Sequence, residues 1–514
     1  MARKIFSIVA FASALTLIAS INGLAASVVT VSQEPSPLAG CPNDSQPGRN
    51  YPSAEVEPQL AVFGDKMIAQ WHQDRWSNGG GHGIGVGISK DRGSSWTQSV
   101  MPWDACTSTD PSLTKYQRNS DPWVSFGPDG TAYASALAFN IAVPNWANAV
   151  VVATLPKGTT TWQNVKAIPG SAFSQFNQST DKNSTTADPT TPGTAYTVWD
   201  TLFEPTDQPD DNPHTASYTG PAYFSMITKG TDWTPAKIIV NTAQRQQTIG
   251  NIIVVDPTTT PHTLYDFMNL IVAPNTPKQG TRSNQQVAFV KSTDGGSTWT
   301  QPQIIAPFNS LGVHDPNTGA PLRTGDGLEE VARDPSTGRL YVVWQSSTNY
   351  VKNVQQGSGS WDDEILLTSS GDGGASWSSP TVVHQAGGMP TYTPTIAVNG
   401  NRVAISYYDN RNLPAGDMAN LPTDYWVSIS TGGGPFVEQH LAGPFDEMSA
   451  PVARGFFLGD YEGLQPSGTG FEALFVTTNC QPPYTGANCG PASNSVTPNP
   501  NNTNPTDVFA VAIP

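Results

Sequence analysis

Carboxyl groups recur at one point of a repeated strand–turn–strand pattern in this 514-residue chain. Near the start of successive apolar runs stand Glu55 and Glu57, Asp121, Asp181 beside Lys182, the pair Glu329 and Glu330, and Asp460 with Glu462. Asn251 and Thr393 hold the corresponding place in two further runs. Carboxyls crowded together raise one another's pKa, so an acid and a base can coexist at one pH. Hydrolysis of a glycosidic bond uses such a pair, and their separation decides the stereochemical outcome. Glu57, Asp121, Glu330 and Asp460 are therefore the candidates for the acid and base roles. Neighbours on a strand point to opposite faces, so only one of Glu329 and Glu330 can join them, whereas Asp460 and Glu462 can share a face. Two other readings fit the same residues: strand ends solvated in a channel, and oxygen ligands for a structural calcium ion. No other metal or cofactor is expected.

A second polar set follows the next strand of each repeat. It holds His72, Asp74 and Arg75 in WHQDRW (71–76), Asp200 in VWD (198–200), and Tyr408, Asp409 and Arg411 in YYDNRN (407–412). From both sets Arg75, Asp74, Asp181, Lys182, Tyr408 and Arg411 are the candidate substrate contacts. Long connections at 200–219, 268–284, 345–363, 409–424 and 478–505 offer room for a ligand. Trp76, Trp146, Trp361 and Trp426 lie in or beside loops, where an indole either stacks on a sugar or packs the loop down. His72 and His82 flank the Gly-rich run WSNGGGHGIGVG, which reads as a tight turn between strands. His214, His262, His314, His384 and His440 are dispersed. The chain has no Walker loop, no Gly-x-Ser-x-Gly elbow and no His-Glu-x-x-His.

The elements that must position these groups are strands. With 47 glycines and 45 prolines between short β-branched and aromatic runs, the composition fits an all-β chain rich in turns. The strand–turn–strand pattern occurs seven times: at 57–71, 121–137, 181–199, 250–267, 328–344, 393–408 and 459–476. Between copies stands a second motif, Ser-x-Asp-x-Gly-x-x-Trp, at 89–96, 292–299 and 370–377, with decayed forms at 157–162 and 229–233. The Asp can accept backbone N–H bonds in a tight turn, Gly supplies positive φ, and Trp buries apolar surface. This motif resembles the Asp-box, or BNR, repeat of sialidases and other β-propellers. The repeats predict a single seven-bladed β-propeller of four-stranded antiparallel blades over 27–514. The six-bladed ring of the sialidases is the alternative. The last repeat offers only 507–513 as its third strand, and 27–32 is expected to supply the fourth.

The resemblance implies that the Asp-boxes lie on the face opposite the active site and act as staples. It implies a glycan-processing protein, with a non-catalytic carbohydrate- or protein-binding propeller as the alternative. The span 55–98 is closest to the opening of a sialidase, yet Val56, between Glu55 and Glu57, stands where the family's Arg-Ile-Pro motif has arginine. Arg75 matches the second conserved arginine by context, and Arg333 and Arg411 are the remaining candidates for a cluster. Tyr408 and Tyr461 correspond to the nucleophilic tyrosine by position only. Ordinary exo-sialidase activity is not expected.

Residues 1–26 read as a secretory signal: Arg3 and Lys4 precede the apolar run 5–21, with small residues after it. Cleavage there moves the formal charge from −16 to −18, which argues against nucleic acid and anionic membranes as partners. An exported monomer acting on an extracellular glycan is the expectation. Cys41–Cys106 and Cys480–Cys489 are the favoured disulfides. Asn43, Asn177, Asn183 and Asn501 head sequons that only a eukaryotic host would use.

Overall fold

The computed structural model describes residues 27–41, 46–142, 145–175, 177–204, 218–272, 284–310, 312–347, 363–490 and 501–514. The signal segment, Asn43, His214, Trp361 and parts of four of the five long connections lie outside the described residues. Those residues are all-β, with a single 3₁₀ turn at Glu447–Ser449. No described helix is long and apolar enough to cross a membrane.

Seven strands among the described residues begin four-stranded antiparallel meanders: Val56–Phe63, Arg118–Phe126, Gln178–Ala187, Gln246–Asp256, Glu329–Arg333, Thr391–Asn399 and Gly463–Ser467. The first two meanders share one sheet through a single residue pair, Gly81 and Asn119. The third and fourth share another through the short strand Thr219–Gly220. Each leading strand lies beside the next, and the seventh lies beside the first. The seventh meander is completed from the other end of the chain, where Val28–Thr30 pairs antiparallel with Thr506–Ile513.

The apolar core is correspondingly divided into layers between consecutive meanders. Ile68, Ile84 and Val86 of the first meet Ala134, Ala136 and Val151 of the second. Trp199 and Ile227 of the third meet Tyr133 and Val150 of the second. Val31, Leu60 and Trp71 join Tyr408, Tyr425, Phe471 and Phe475 in the layer that unites the sixth, seventh and first. Burying each of the larger aliphatic and phenyl side chains contributes about 1.5–3 kcal/mol. The Gly-rich run is itself mostly strand, Gly81–Ser89, which corrects its reading as a turn; only 76–80 form the turn. A Cβ at Gly85 would stand 2.4 Å from the Trp71 indole, so glycine here lets the ring lie flat on its neighbour strand.

All three full Ser-x-Asp-x-Gly-x-x-Trp turns close in the same way. Asp294 Oδ1 accepts from Ser292 Oγ at 2.8 Å and from Thr298 N at 2.8 Å, while Oδ2 accepts from the Thr298 hydroxyl at 2.6 Å. Asp91 and Asp372 do the same with Ser95 and Ser376. The tryptophans pack beyond their own hairpins. Trp299 sits edge-on to Phe224, and Trp377 edge-on to Phe267 and Phe289, each in the preceding meander. Both disulfides expected from the sequence form, with Cα separations of 5.7 Å for Cys41–Cys106 and 4.8 Å for Cys480–Cys489. Asn183 is buried, which removes it as a glycosylation site in the folded protein.

The Thr298 hydroxyl holds the Asp294 carboxyl down to about 2 from its ordinary 3.8. A depressed carboxyl stabilises the fold above its unfolded value and loses that effect as pH falls through the folded one. Asp294→Ala is therefore expected to lower the melting temperature at pH 7, with the deficit shrinking between about pH 4 and pH 2. Melting curves of the two proteins across that range check it.

Candidate functional site

Five of the leading strands carry a bulge at the same place. The register shifts between Val56 and Gln59, Ser120 and Trp123, Asp181 and Ser184, Ile249 and Ile252, and Tyr392 and Thr395. The first residue skipped in each has positive φ: Glu57 at 54°, Asp121 at 51°, Lys182 at 42°, Gly250 at 74° and Thr393 at 51°. The next residue is Pro58, Pro122, Asn183, Asn251 or Pro394. A proline cannot donate to a ladder, so a bulge is where an inner strand tolerates it. Left-handed backbone at a non-glycine residue costs on the order of 1 kcal/mol, and here it frees the side chain from the sheet.

Three of these freed side chains meet. Lys182 Nζ lies 3.4 Å from Glu57 Oε1, 3.6 Å from Asp121 Oδ1 and 2.8 Å from Asp460 Oδ2. Its ammonium also stands 5.3 Å from the centre of the Tyr461 ring. Asp460 is clamped from the other side by Arg323, whose Nε donates at 3.0 Å and Nη2 at 2.5 Å. Arg75 and Arg323 both lie over the Phe457 ring, at 4.7 and 4.5 Å. Three carboxylates thus face three cations. His72 completes the group: its Nε2 is 2.8 Å from Glu57 Oε2, and the Asp121 backbone N–H approaches the same nitrogen at 2.8 Å. Its other ring nitrogen, Nδ1, lies 3.4 Å from Arg75 Nη1.

Burial alone would raise the carboxyls and lower the lysine; the mutual charges reverse both. Lys182, His72 and Arg75 hold Glu57 well below the usual carboxylate range, and Arg323 and Lys182 depress Asp460. Asp121, Asp460, Glu57 and Asp181 hold Lys182 well above the usual value for an amine. Arg75, sealed from water and beside Arg323, falls to about 10. Asp181 behaves differently. Desolvation by the protein packed closely around it, with the charge of Asp121, pushes it up to about 6. Its side chain is nevertheless reached by solvent, through an open cleft of about 270 Å³ that it lines. Arg75, Asp121, Lys182, Arg323, Arg454 and Trp146 also line that cleft. The Lys182 backbone N–H donates to both Asp121 Oδ2 (3.1 Å) and Asp181 Oδ1 (3.0 Å), so the two carboxyls are neighbours.

Of the residues expected from the sequence, Glu57, Asp121, Asp460, Arg75, Asp181 and Lys182 are brought together. Glu330 is half-buried, is pushed up to about 8 by burial and acts electrostatically on Tyr461, but it does not line the cleft. Three expected substrate contacts lie away from the cleft. Tyr408 is sealed in the core, donating to Glu462 Oε1 at 2.9 Å and stacked with Tyr392. Arg411 is spent on Asp409 and Glu438 and lies over Trp426. Asp74 is buried as an acceptor for Ser53 N and Ser36 Oγ. Arg333 pairs with Asp256, outside the group. Trp76 packs under Arg118, which leaves Trp146 as the one described indole of the four that reaches the cleft. Arg323 and Arg454 were not legible as site residues. Arg323 arrives on Pro321–Arg323, an insertion strand that pairs with Phe456–Phe457 and matches no repeat.

No family model and no curated protein matches this sequence. Among solved structures, a protein of unknown function from Dyadobacter fermentans is similar at 11% identity and TM-score 0.43, over 91% of this chain and 96% of that one. An alpha-L-arabinanase of Penicillium chrysogenum, complexed with arabinobiose, is similar at 11% identity and TM-score 0.42, over 95% and 99%. A Trypanosoma rangeli sialidase gives 11% and 0.36, over 89% of this chain and 55% of that one. Likenesses this distant carry no argument about the site, whose chemistry rests on its own geometry.

Removing the central cation would leave buried carboxylates facing one another. Lys182→Met is expected to cost about 3–5 kcal/mol of unfolding free energy, the usual consequence of deleting one partner of a buried ion group. Urea denaturation of the variant beside the parent measures it.

Proposed function

We propose that this chain is an exported, monomeric glycoside hydrolase built as a closed seven-bladed propeller, sialidase-like in its Asp-box turns. The cyclic order of the seven leading strands supports seven blades over six. The two disulfides suit an oxidising compartment. One observation carries the activity: an exposed carboxyl raised to about 6 sits in a cleft beside a second carboxyl held in ion contact.

In this reading Asp181 is the general acid. Its proton passes to the glycosidic oxygen as the bond to the anomeric carbon breaks. Asp121 Oδ attacks that carbon and forms a glycosyl ester. Water then cleaves the ester, giving its proton to Asp181. Because both carboxyls accept from one N–H, their nearest oxygens lie within about 4 Å, closer than the roughly 6.5 Å or more that an inverting pair needs to admit water, which favours retention. Lys182 and Arg323 keep Glu57 and Asp460 ionised, Trp146 offers an apolar wall to a sugar ring, and the exposed Arg454 can orient polar substituents.

A second reading is a glycan-binding propeller without turnover. It is favoured by Asp121 already accepting from Ser120 Oγ and the Lys182 N–H, which ties down a nucleophile.

A screen of reducing-end release over plant, fungal and animal glycans separates the two; saturable binding without product in every case supports the binder and sinks the hydrolase. On a substrate that is cleaved, Asp181→Asn is expected to lower kcat by about 10²–10⁴ with the melting temperature kept. The acid must carry its proton, so the parent's kcat/KM should fall as pH rises through about 6. The released sugar should keep its anomeric configuration by proton NMR.

A further inference from the structure

We propose that Glu34, Glu55 and Asp507 form a calcium site at the seam where the two ends of the chain meet. The three carboxylates come from three separate segments: the stretch after the N-terminal strand, the approach to the first leading strand, and the last strand. One oxygen from each falls within 4.8 Å of the others. That is the span of oxygens around one ion at calcium's bond length of about 2.4 Å.

The independent observation is Glu55. Its side chain is wholly buried, Oε1 accepts from Gln73 Nε2 at 2.5 Å, and Oε2 has no hydrogen-bond partner among the described residues. An orphaned carboxylate oxygen in the interior is costly unless something positive faces it. The strongest charges acting on Glu55 are all carboxylates, Asp507, Glu34 and Asp74. This distinguishes the seam from the central group, where Lys182, Arg75 and Arg323 already balance the acids. The other two carboxyls are held in place: Glu34 Oε2 accepts from Ser53 Oγ at 2.7 Å, and Asp507 accepts from Ser32 Oγ at 2.7 Å and Asn479 Nδ2 at 2.8 Å. Glu34 is exposed, which leaves an entry path and room for water ligands. An all-oxygen set of three acids on separate segments suits calcium over zinc, which takes nitrogen and sulfur, and over magnesium, which retains most of its water.

The consequence is mechanical. At this seam the backbone is joined by the three-residue pairing of Val28–Thr30 with the last strand and by the bridge between Ala54 and Thr506. An ion shared by Glu34, Glu55 and Asp507 would join all three segments.

The test uses the mature protein stripped of metal. Equilibrium dialysis with calcium chloride should give one ion per chain with a dissociation constant that Glu55→Gln weakens at least ~10-fold. Calcium at ~100 times that constant should raise the parent's melting temperature by a few degrees. Glu55→Gln should lose the shift and melt no lower than the parent in EDTA, since it removes an orphaned charge. Glu34→Gln, at an exposed position, should weaken binding without touching the core and serves if the first variant does not fold. No bound calcium in the parent, an undiminished shift in both variants, or an equal shift with magnesium would each overturn the assignment.

Discussion

One ammonium group organises the centre of this protein. Lys182 Nζ is in ion contact with carboxylates of the first and second leading strands and of the approach to the seventh, as many as 278 positions away from it in the chain. Bringing acids so close would by itself drive them to protonate. The lysine reverses that, and it works only because it is withheld from water. Such a network is weak evidence for stability, since desolvating its members offsets much of the attraction. Its effect is on order: a misplaced meander would leave a buried charge without its partner.

The bulges make the meeting possible. A regular strand would send alternate side chains into the sheet layers on either side. At Glu57, Asp121 and Lys182 the extra residue and left-handed backbone turn the side chain out of the ladder instead. Local strain of this kind persists where surrounding structure holds it, and it accumulates at sites with work to do. The insertion that carries Arg323 then caps the group by clamping Asp460, so a segment outside the repeats fixes one within them. Asp181, one residue before a bulge, is left open to the cleft.

Much of this is written in the sequence in plain form. Turn residues at regular intervals give the strands, and the Asp, Gly and Trp of each box give its closure, because both are local. The acids at strand starts are legible for the same reason, although which of two neighbours faces inward depends on a bulge. Glu-Pro, Asp-Pro and Thr-Pro within leading strands are the available signal for those bulges. Tyr408 and Arg411 show the limit of strand-end position. Each stands beside its meander's turn, and both are captured by partners, Glu462 and Glu438, that only tertiary packing supplies. His72 looked like any polar strand-end residue until Glu57 was set against it. Arg323 carries no repeat signature at all. Glu55, two residues before Glu57, goes to the seam rather than the centre.

The claim that Lys182 binds distant meanders into one unit is tested most directly by a double-mutant cycle with Asp460. Unfolding free energies would be compared for the parent, Lys182→Met, Asp460→Asn and the double variant. The ion contact at 2.8 Å predicts a coupling energy of about 1–3 kcal/mol, the double variant losing less than its components together. Additivity within about 0.5 kcal/mol would mean that the two residues do not sense each other, and the account of the centre would fail.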